Sequence, residues 1–310
     1  MAARQPYRPR VVVLGDVVVD VVLTPATPLE VGTDVPGRVM LRQGGSGTTT
    51  ARWLARVGTR ASLVGAVGRD AEGTALIELV RGDGVTSRIV RIAGRSTGRI
   101  GVLVAPDGER SFVQDRAATE SLSPQHLHES WFAGVELVHV PTYSLIGHPL
   151  GDAGRRAAEL GHAAGGLVSI DLSSSRPLLA LGRQAAVDTV AATRPDLIFA
   201  AGSEAEALVD RAEGLLDVAP IVVLKRGAGG ATVLFHVDGA TRRFEAAAHE
   251  VATSEVTGAG DAFDAGFIGE WLRARHDGRP PEAALRAAAA AGNRLAARHL
   301  LAPRKELRLV

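Results

Sequence analysis

From residue 137 onward the chain alternates short β-branched runs with longer alanine- and leucine-rich stretches, and that alternation restricts the fold most. Residues 137–140, 167–171, 197–200 and 221–225 are apolar runs of the length of buried strands. Between them, 149–164, 178–192 and 203–212 carry helical spacing. A parallel crossover needs a connection of helix length, so repeated strand–helix units imply a mostly parallel sheet with helices on both faces. Earlier in the chain, 10–15 reads as a buried first strand that 17–23 continues beyond a break, and 61–67 as another strand. Helices are expected over 48–57, 73–81, 262–276 and 281–300, and a late hairpin over 232–236 and 241–246. Two β-rich pieces, about 33–42 and 97–116, do not fit that sheet and read as an inserted lid, the second a hairpin turning at Pro106-Asp107-Gly108.

Composition agrees with an α/β domain. Hydrophobic residues make up 46% of 310, enough for a large core, while aromatics are only 4%. Lys plus Arg number 35 against 34 Asp plus Glu, and no basic run or basic–aromatic stripe appears, so nucleic-acid binding has no support. Cysteine is absent, which excludes disulfides, thiolate metal sites and a Cys nucleophile. No apolar run approaches the roughly 20 residues of a membrane span, and the first ten residues lack the pattern of a signal peptide, so a cytoplasmic location is expected.

Glu255-Val-Thr-Gly-Ala-Gly-Asp-Ala-Phe-Asp-Ala-Gly-Phe267 places small residues and one carboxylate where a helix begins. Bare N–H groups at a helix start, aided by the dipole, suit a phosphate or another developing anion. Asp261 beside them could accept a proton from an attacking hydroxyl. An ordinary acidic residue in a first helical turn explains the same run, and this segment alone leaves both readings open.

The order of motifs separates them. Gly44-Gly-Ser-Gly-Thr-Thr-Thr-Ala-Arg-Trp-Leu-Ala-Arg-Val-Gly58 resembles the first signature of the ribokinase-like (PfkB) carbohydrate kinases, and Glu255–Phe267 resembles the second. Val64-Gly-Ala-Val-Gly-Arg-Asp70, Ser96-Thr-Gly98, Ser169-Ile-Asp171 and Leu224-Lys-Arg-Gly227 lie between them in the family's order. The resemblance implies a ribokinase-like fold, doubly wound with a small β-rich lid, in a single domain over 1–310. It implies an ATP- and Mg²⁺-dependent kinase acting on a hydroxyl of a small sugar, with Asp261 as base and Gly258, Ala259 and Gly260 as anion hole.

Further roles carry over by position. Asp20 resembles the acid that holds sugar hydroxyls, and Gly44 and Gly45 the pair that lets backbone approach the sugar. Glu204 resembles the Glu of Asn-x-x-Glu, which organises water around Mg²⁺, although a first-turn Glu needs no such role. Lys225, Gly227 and Gly229 stand where the nucleotide site begins, and Asn293 where the adenine pocket closes. Arg116, following the hairpin, is expected over the substrate, with a salt-bridge role as the alternative. Three positions depart from the pattern: Thr49 replaces Asn, Ala201 stands where Asn-x-x-Glu should start, and Glu255 replaces Asp near where some members bind a monovalent cation, leaving K⁺ activation open. Homodimerisation through lid strands is a further expectation.

Other chemistries lack their motifs. There is no Gly-x-x-x-x-Gly-Lys-Ser/Thr and no Gly-x-Gly-x-x-Gly after the first strand, and the nine His residues show no metal spacing. The alternatives retained are a nucleoside kinase of the adenosine type, against which the low aromatic content argues, and a sugar-binding protein of kinase fold without turnover.

Overall fold

A computed structural model of the chain describes residues 6–105, 108–173, 175–180, 182–237, 239–253, 255–303 and 305–309. The strands are β1 (Arg10–Leu14), β2 (Val18–Pro25), β3 (Gly37–Gly44), β4 (Arg60–Gly68), β5 (Thr86–Ile92), β6 (Gly98–Val104) and β7 (Arg110–Asp115). They continue with β8 (Leu137–Pro141), β9 (Leu167–Asp171), β10 (Leu197–Ala201), β11 (Ile221–Lys225), β12 (Ala231–Val237) and β13 (Ala240–Ala246). The helices are α1 (Ser46–Arg56), α2 (Ala71–Gly82), α3 (Leu150–Ala163), α4 (Ser175–Leu179), α5 (Arg183–Ala191), α6 (Gly202–Leu208), α7 (Ala259–His276) and α8 (Pro281–Leu301).

Among the described residues, nine strands form one sheet in the order β13-β12-β11-β10-β9-β8-β1-β4-β5, parallel except for the closing hairpin β12–β13, which runs antiparallel beside β11. Alternation along each strand divides its side chains between two layers. Val11 and Val13 of β1 join the cluster that holds residues of α1, α2, α7 and α8, whereas Val12 and Leu14 join the cluster packed on α3, α5 and α6. Each layer buries small Ala and Gly faces against β-branched strands, which is how a chain so poor in aromatics closes its core. After β1 the chain goes to β4 and β5 on one side, and β8 later takes the other side of β1. Such a reversal of strand order opens a crevice at the strands' carboxyl ends, where ligands bind in doubly wound sheets.

A second sheet of four strands, β3-β2-β6-β7, stands beyond those carboxyl ends. This corrects one expectation: residues 17–23 do not continue the first strand, because the chain turns at Gly15-Asp16 and Val18–Pro25 becomes a central strand of the small sheet, between β3 and β6. The segments about 33–42 and 97–116 do stand apart from the large sheet, with β2 between them. Pro106 and Asp107 of the proposed hairpin turn lie outside the described residues. The link to the body is polar: Asp70 caps α2 through Gly73 N and also accepts from Thr97 N, 2.7 Å away, just before β6.

Three further boundaries differ. The edge strand β5, Thr-Ser-Arg-Ile-Val-Arg-Ile, has mixed burial and no clear period, so it escapes a pattern reading. The single helix expected over 178–192 is two, because Gly182 adopts φ 89 at the start of α5. α6 ends at Leu208, short of 212, and a 3₁₀ turn follows over Ala212–Asp217.

Candidate active site

Helices α1 and α7 start at the same place, and their N-termini face the cleft between the two sheets. This cleft measures about 1490 Å³ and is lined by Asp20, Gly44, Gly45, Thr49, Arg116, Glu204, Lys225, Gly227, Gly258, Ala259, Gly260 and Asp261. Twelve of the fourteen sequence-derived positions thus converge. The other two, Gly229 and Asn293, stand outside the lining. Asn293 is buried, and its amide donates to Ala246 O and Ala247 O at 3.1 and 2.9 Å, tying α8 to the end of β13 and the residue that follows.

Gly258 caps α7 in the left-handed region, φ 82, and a Cβ there would lie 2.8 Å from His299 Nε2. Only glycine combines that dihedral with that approach. α7 therefore begins with small residues, as an anion site requires, but the expected donor Ala259 is not free, because the turn folds its N–H back onto Val256 O at 3.2 Å. Asp261 lies in the first turn of α7. Burial pushes its pKa up to about 6, opposed chiefly by a hydrogen bond from Ser46 Oγ to Oδ1 of 2.6 Å. Across the cleft, burial and then the Asp261 charge push Asp20 up to about 7, against the pull of Arg42. Asp20 approaches Gly44 so closely that a Cβ on Gly44 would fall 2.0 Å from Oδ1. Two carboxylates that titrate near neutrality thus share one cleft, a pattern concentrated at functional sites.

Beneath the Gly258–Gly260 turn lies a buried ion cluster. Lys225, at the end of β11, places Nζ 2.8 Å from Asp171 Oδ1 and 3.2 Å from Asp264 Oδ2. Burial works to lower its pKa, but the two carboxylates hold the ammonium firmly charged. The same ammonium holds Asp171 below the usual range despite burial, whereas burial drives Asp264 well above it. A Cβ on Gly260 would sit 3.3 Å from Nζ, so this positive charge lies directly behind the turn.

Glu204, in the first turn of α6, accepts from Ala201 N at 2.6 Å. Burial and then Asp171 raise its pKa to about 7, against the hydrogen bond from Ala201 N and the weaker pull of Lys225. A carboxylate oxygen donor such as Glu204 lining the cleft fits Mg²⁺, which takes one or two protein carboxylates and otherwise water and phosphate. Among the described residues no cluster of three or more His, Asp or Glu forms a protein-only metal cage.

Arg116 pairs with buried Asp16 at 2.7 Å, donates to Tyr143 O and lies 4.3 Å from the Tyr143 ring centroid. It is thus an interior strut joining the end of β7 to the body, not a solvated one. Thr49 donates to Gly45 O and accepts from Gln43 Nε2, so much of its hydroxyl capacity is used inside the protein.

Sequence reading missed Ser46, Asp264 and His299. Trp53 Nε1 donates to His299 Nδ1 at 2.8 Å, which leaves Nε2–H to donate to Thr257 O at 2.8 Å. Arg42 meets Glu255 Oε1 at 2.6 Å. The one signal in the chain was the hydroxyl-rich start of α1, Ser46-Gly-Thr-Thr-Thr50, on a helix that is otherwise apolar inside.

The model of the pfkB family carbohydrate kinases matches residues 8–302. The chain belongs to the pfkB family of carbohydrate kinases. Probable fructokinase-4 of Arabidopsis thaliana is 29% identical over 181 residues, 57% of this chain. The match spans just over half of that relative's length, 55%. The ATP-dependent ribose-1-phosphate kinase of Halopiger xanaduensis is 30% identical over 234 residues, 74% of this pfkB chain and 73% of its own. The crystal structure of adenosine kinase from Sinorhizobium meliloti superimposes with a TM-score of 0.81 at 25% identity, covering 96% of each chain. Among the described residues no helix is long and apolar enough to cross a membrane.

Proposed function

We propose that this pfkB kinase transfers the γ-phosphoryl group of ATP to a hydroxyl of a small sugar in the cleft between its sheets. The observation that carries the proposal is the meeting of Asp261, Asp20 and the start of α7 in one cleft at the sheet's carboxyl edge. Asp20 holds acceptor hydroxyls, and with a pKa of about 7 it can donate as well as accept near neutrality. Asp261, mostly ionised above its pKa of about 6, takes the acceptor proton as that oxygen attacks phosphorus. The bond from phosphorus to the bridging oxygen breaks, and ADP leaves with the electron pair. Amides of Gly258, Gly260 and Asp261 hold the charge on the transferring group, that of Ala259 being engaged with Val256 O, and Lys225 behind them adds a fixed positive field.

Lys225 and Gly227 line the cleft, and this reading assigns them to the nucleotide. Glu204 would hold Mg²⁺ through water, and the ion would supply charge neutralisation at the nucleotide phosphates. Before the anion hole, His299 donates to Thr257 O and Arg42 pairs with Glu255. The four-stranded sheet serves as the lid of this single domain, excluding water when it closes. Its β3 edge already receives Leu307 N at Leu41 O, which leaves β7, with Phe112 and Val113 52% and 76% exposed, as the edge for pairing two copies.

A nucleoside acceptor is the second reading. It is favoured by the apolar stripe Val18, Val22, Ile100 and Val102, on the face of the small sheet that also carries Asp20. Measuring ADP release with ATP, Mg²⁺ and a panel of sugars, sugar phosphates and nucleosides tests both. Stimulation by sugars supports the first reading and stimulation by nucleosides alone the second. Saturable binding with no ADP release defeats both and leaves a binding protein.

A further inference from the structure

Two hydroxyls on one face of α1 address the candidate base. Ser46 Oγ donates to Asp261 Oδ1 at 2.6 Å, and Thr50 Oγ1, one turn later, lies 3.5 Å from the Asp261 carbonyl oxygen. Residues four apart share a helix face, so α1 touches both the side chain and the backbone of this one residue. α1 is itself pinned to the large sheet, because buried Thr48 donates to Asp16 O, just past β1, at 2.6 Å. Ser46 is therefore held by the body of the protein, 215 residues away in sequence from the group it contacts. Asp261 Oδ2 has no hydrogen-bond partner among the described residues, and Asp261 lines the cleft.

Resting on the reading of Asp261 as base, we infer that Ser46 is a positioning residue whose hydroxyl fixes Oδ1 and leaves Oδ2 as the oxygen presented to the acceptor. In the transfer step the acceptor proton passes to Oδ2 while its oxygen bonds phosphorus, and Ser46 keeps its own proton throughout. The bond has two consequences. It removes rotation about the last side-chain torsion of Asp261, keeping the base near its attack geometry. It also favours the ionised carboxylate, because a neutral hydroxyl donates better to that form. The other charges facing Asp261 are Asp171 from β9, Lys225 from β11, Asp20 from β2 and Asp264 one turn further along α7. Burial dominates and raises the pKa, and the Ser46 bond is the strongest influence in the opposite direction.

The test compares the parent, Ser46→Ala and Ser46→Thr in kcat/KM against pH, together with an NMR titration of the Asp261 carboxyl in the nucleotide-free protein. In Ser46→Ala the acidic limb and the carboxyl titration should both move up by about one pH unit. At pH 7 the ionised fraction should drop from about nine-tenths to about one-half, so kcat should fall by about twofold or more with KM for ATP unchanged. Ser46→Thr, which keeps the hydroxyl, should restore the parental limb. A Ser46→Ala limb and titration that coincide with the parent's overturn the inference, whatever happens to the rate. The titration reads the hydrogen bond even if turnover is lost. An inactive parent, or an Asp261→Asn variant as fast as the parent, instead defeats the functional reading on which the inference rests.

Discussion

Replacing Asp20 by Asn should make the protein more stable and a worse enzyme, and the size of the gain should depend on pH. Burial, and then the charge of Asp261, raise Asp20 from 3.8 to about 7. Three units correspond to roughly 4 kcal/mol at 1.36 kcal/mol per unit. Solvent reaches part of this half-buried side chain, so about 1–3 kcal/mol is the realistic cost of its ionised form. The folded pKa lies above the unfolded one, so the native state binds the extra proton between pH 4 and 7, and stability falls as pH rises through that window. Asp20→Asn keeps the shape and removes the charge. At pH 8 its melting temperature should exceed the parent's by about 2–5 °C, given the unfolding entropy of a chain this size. The gain should shrink steadily as the buffer is taken down to pH 4, and KM for the acceptor should rise. Calorimetric melts of both proteins across that range decide the matter. A gain independent of pH, or a loss at pH 8, would refute the electrostatic reasoning.

Further outcomes follow from the same geometry. Gly258→Ala forces a Cβ to within 2.8 Å of His299 Nε2 at φ 82, so kcat should fall about 10²-fold as the amide turn shifts; a parental kcat at saturating ATP contradicts this. Lys225→Met leaves Asp171 and Asp264 buried without their partner and should cost about 3–5 kcal/mol in denaturant unfolding, whereas an unchanged midpoint would show that the cluster is not an ion pair.

The strands and helices of the large sheet were legible because burial on both faces demands unbroken β-branched runs, as in Val11-Val12-Val13-Leu14 and Ile221-Val222-Val223. The same rule misled at residues 17–23. That run is as apolar as β1, and nothing in its composition says that it leaves for another sheet. β5 failed for the opposite reason, an edge strand with polar residues at most positions. In the site, Glu204 was legible only through its resemblance to the family's motif, Asp261 through the glycine-rich helix start as well, and Asp20 also because its charge interrupts the apolar run between Val19 and Val21. Ser46, Asp264 and His299 did not stand out, since a hydroxyl in a helix start, an acid one turn along and a histidine near a chain end are individually ordinary. Their roles come from contacts made across the fold: Ser46 with Asp261, Trp53 with His299, and Lys225 with Asp264. Arg116 showed the converse, a residue whose position was readable but whose partner, Asp16, was not.

Steady-state turnover of Asp261→Asn, with ATP and the acceptor that the panel identifies, probes the proton-transfer role most directly. A fall in kcat of about 10²–10⁴-fold, with KM for both substrates little changed and the fold intact, is the predicted result. Turnover equal to the parent's would mean that another group takes the proton, and the account of this cleft would be wrong.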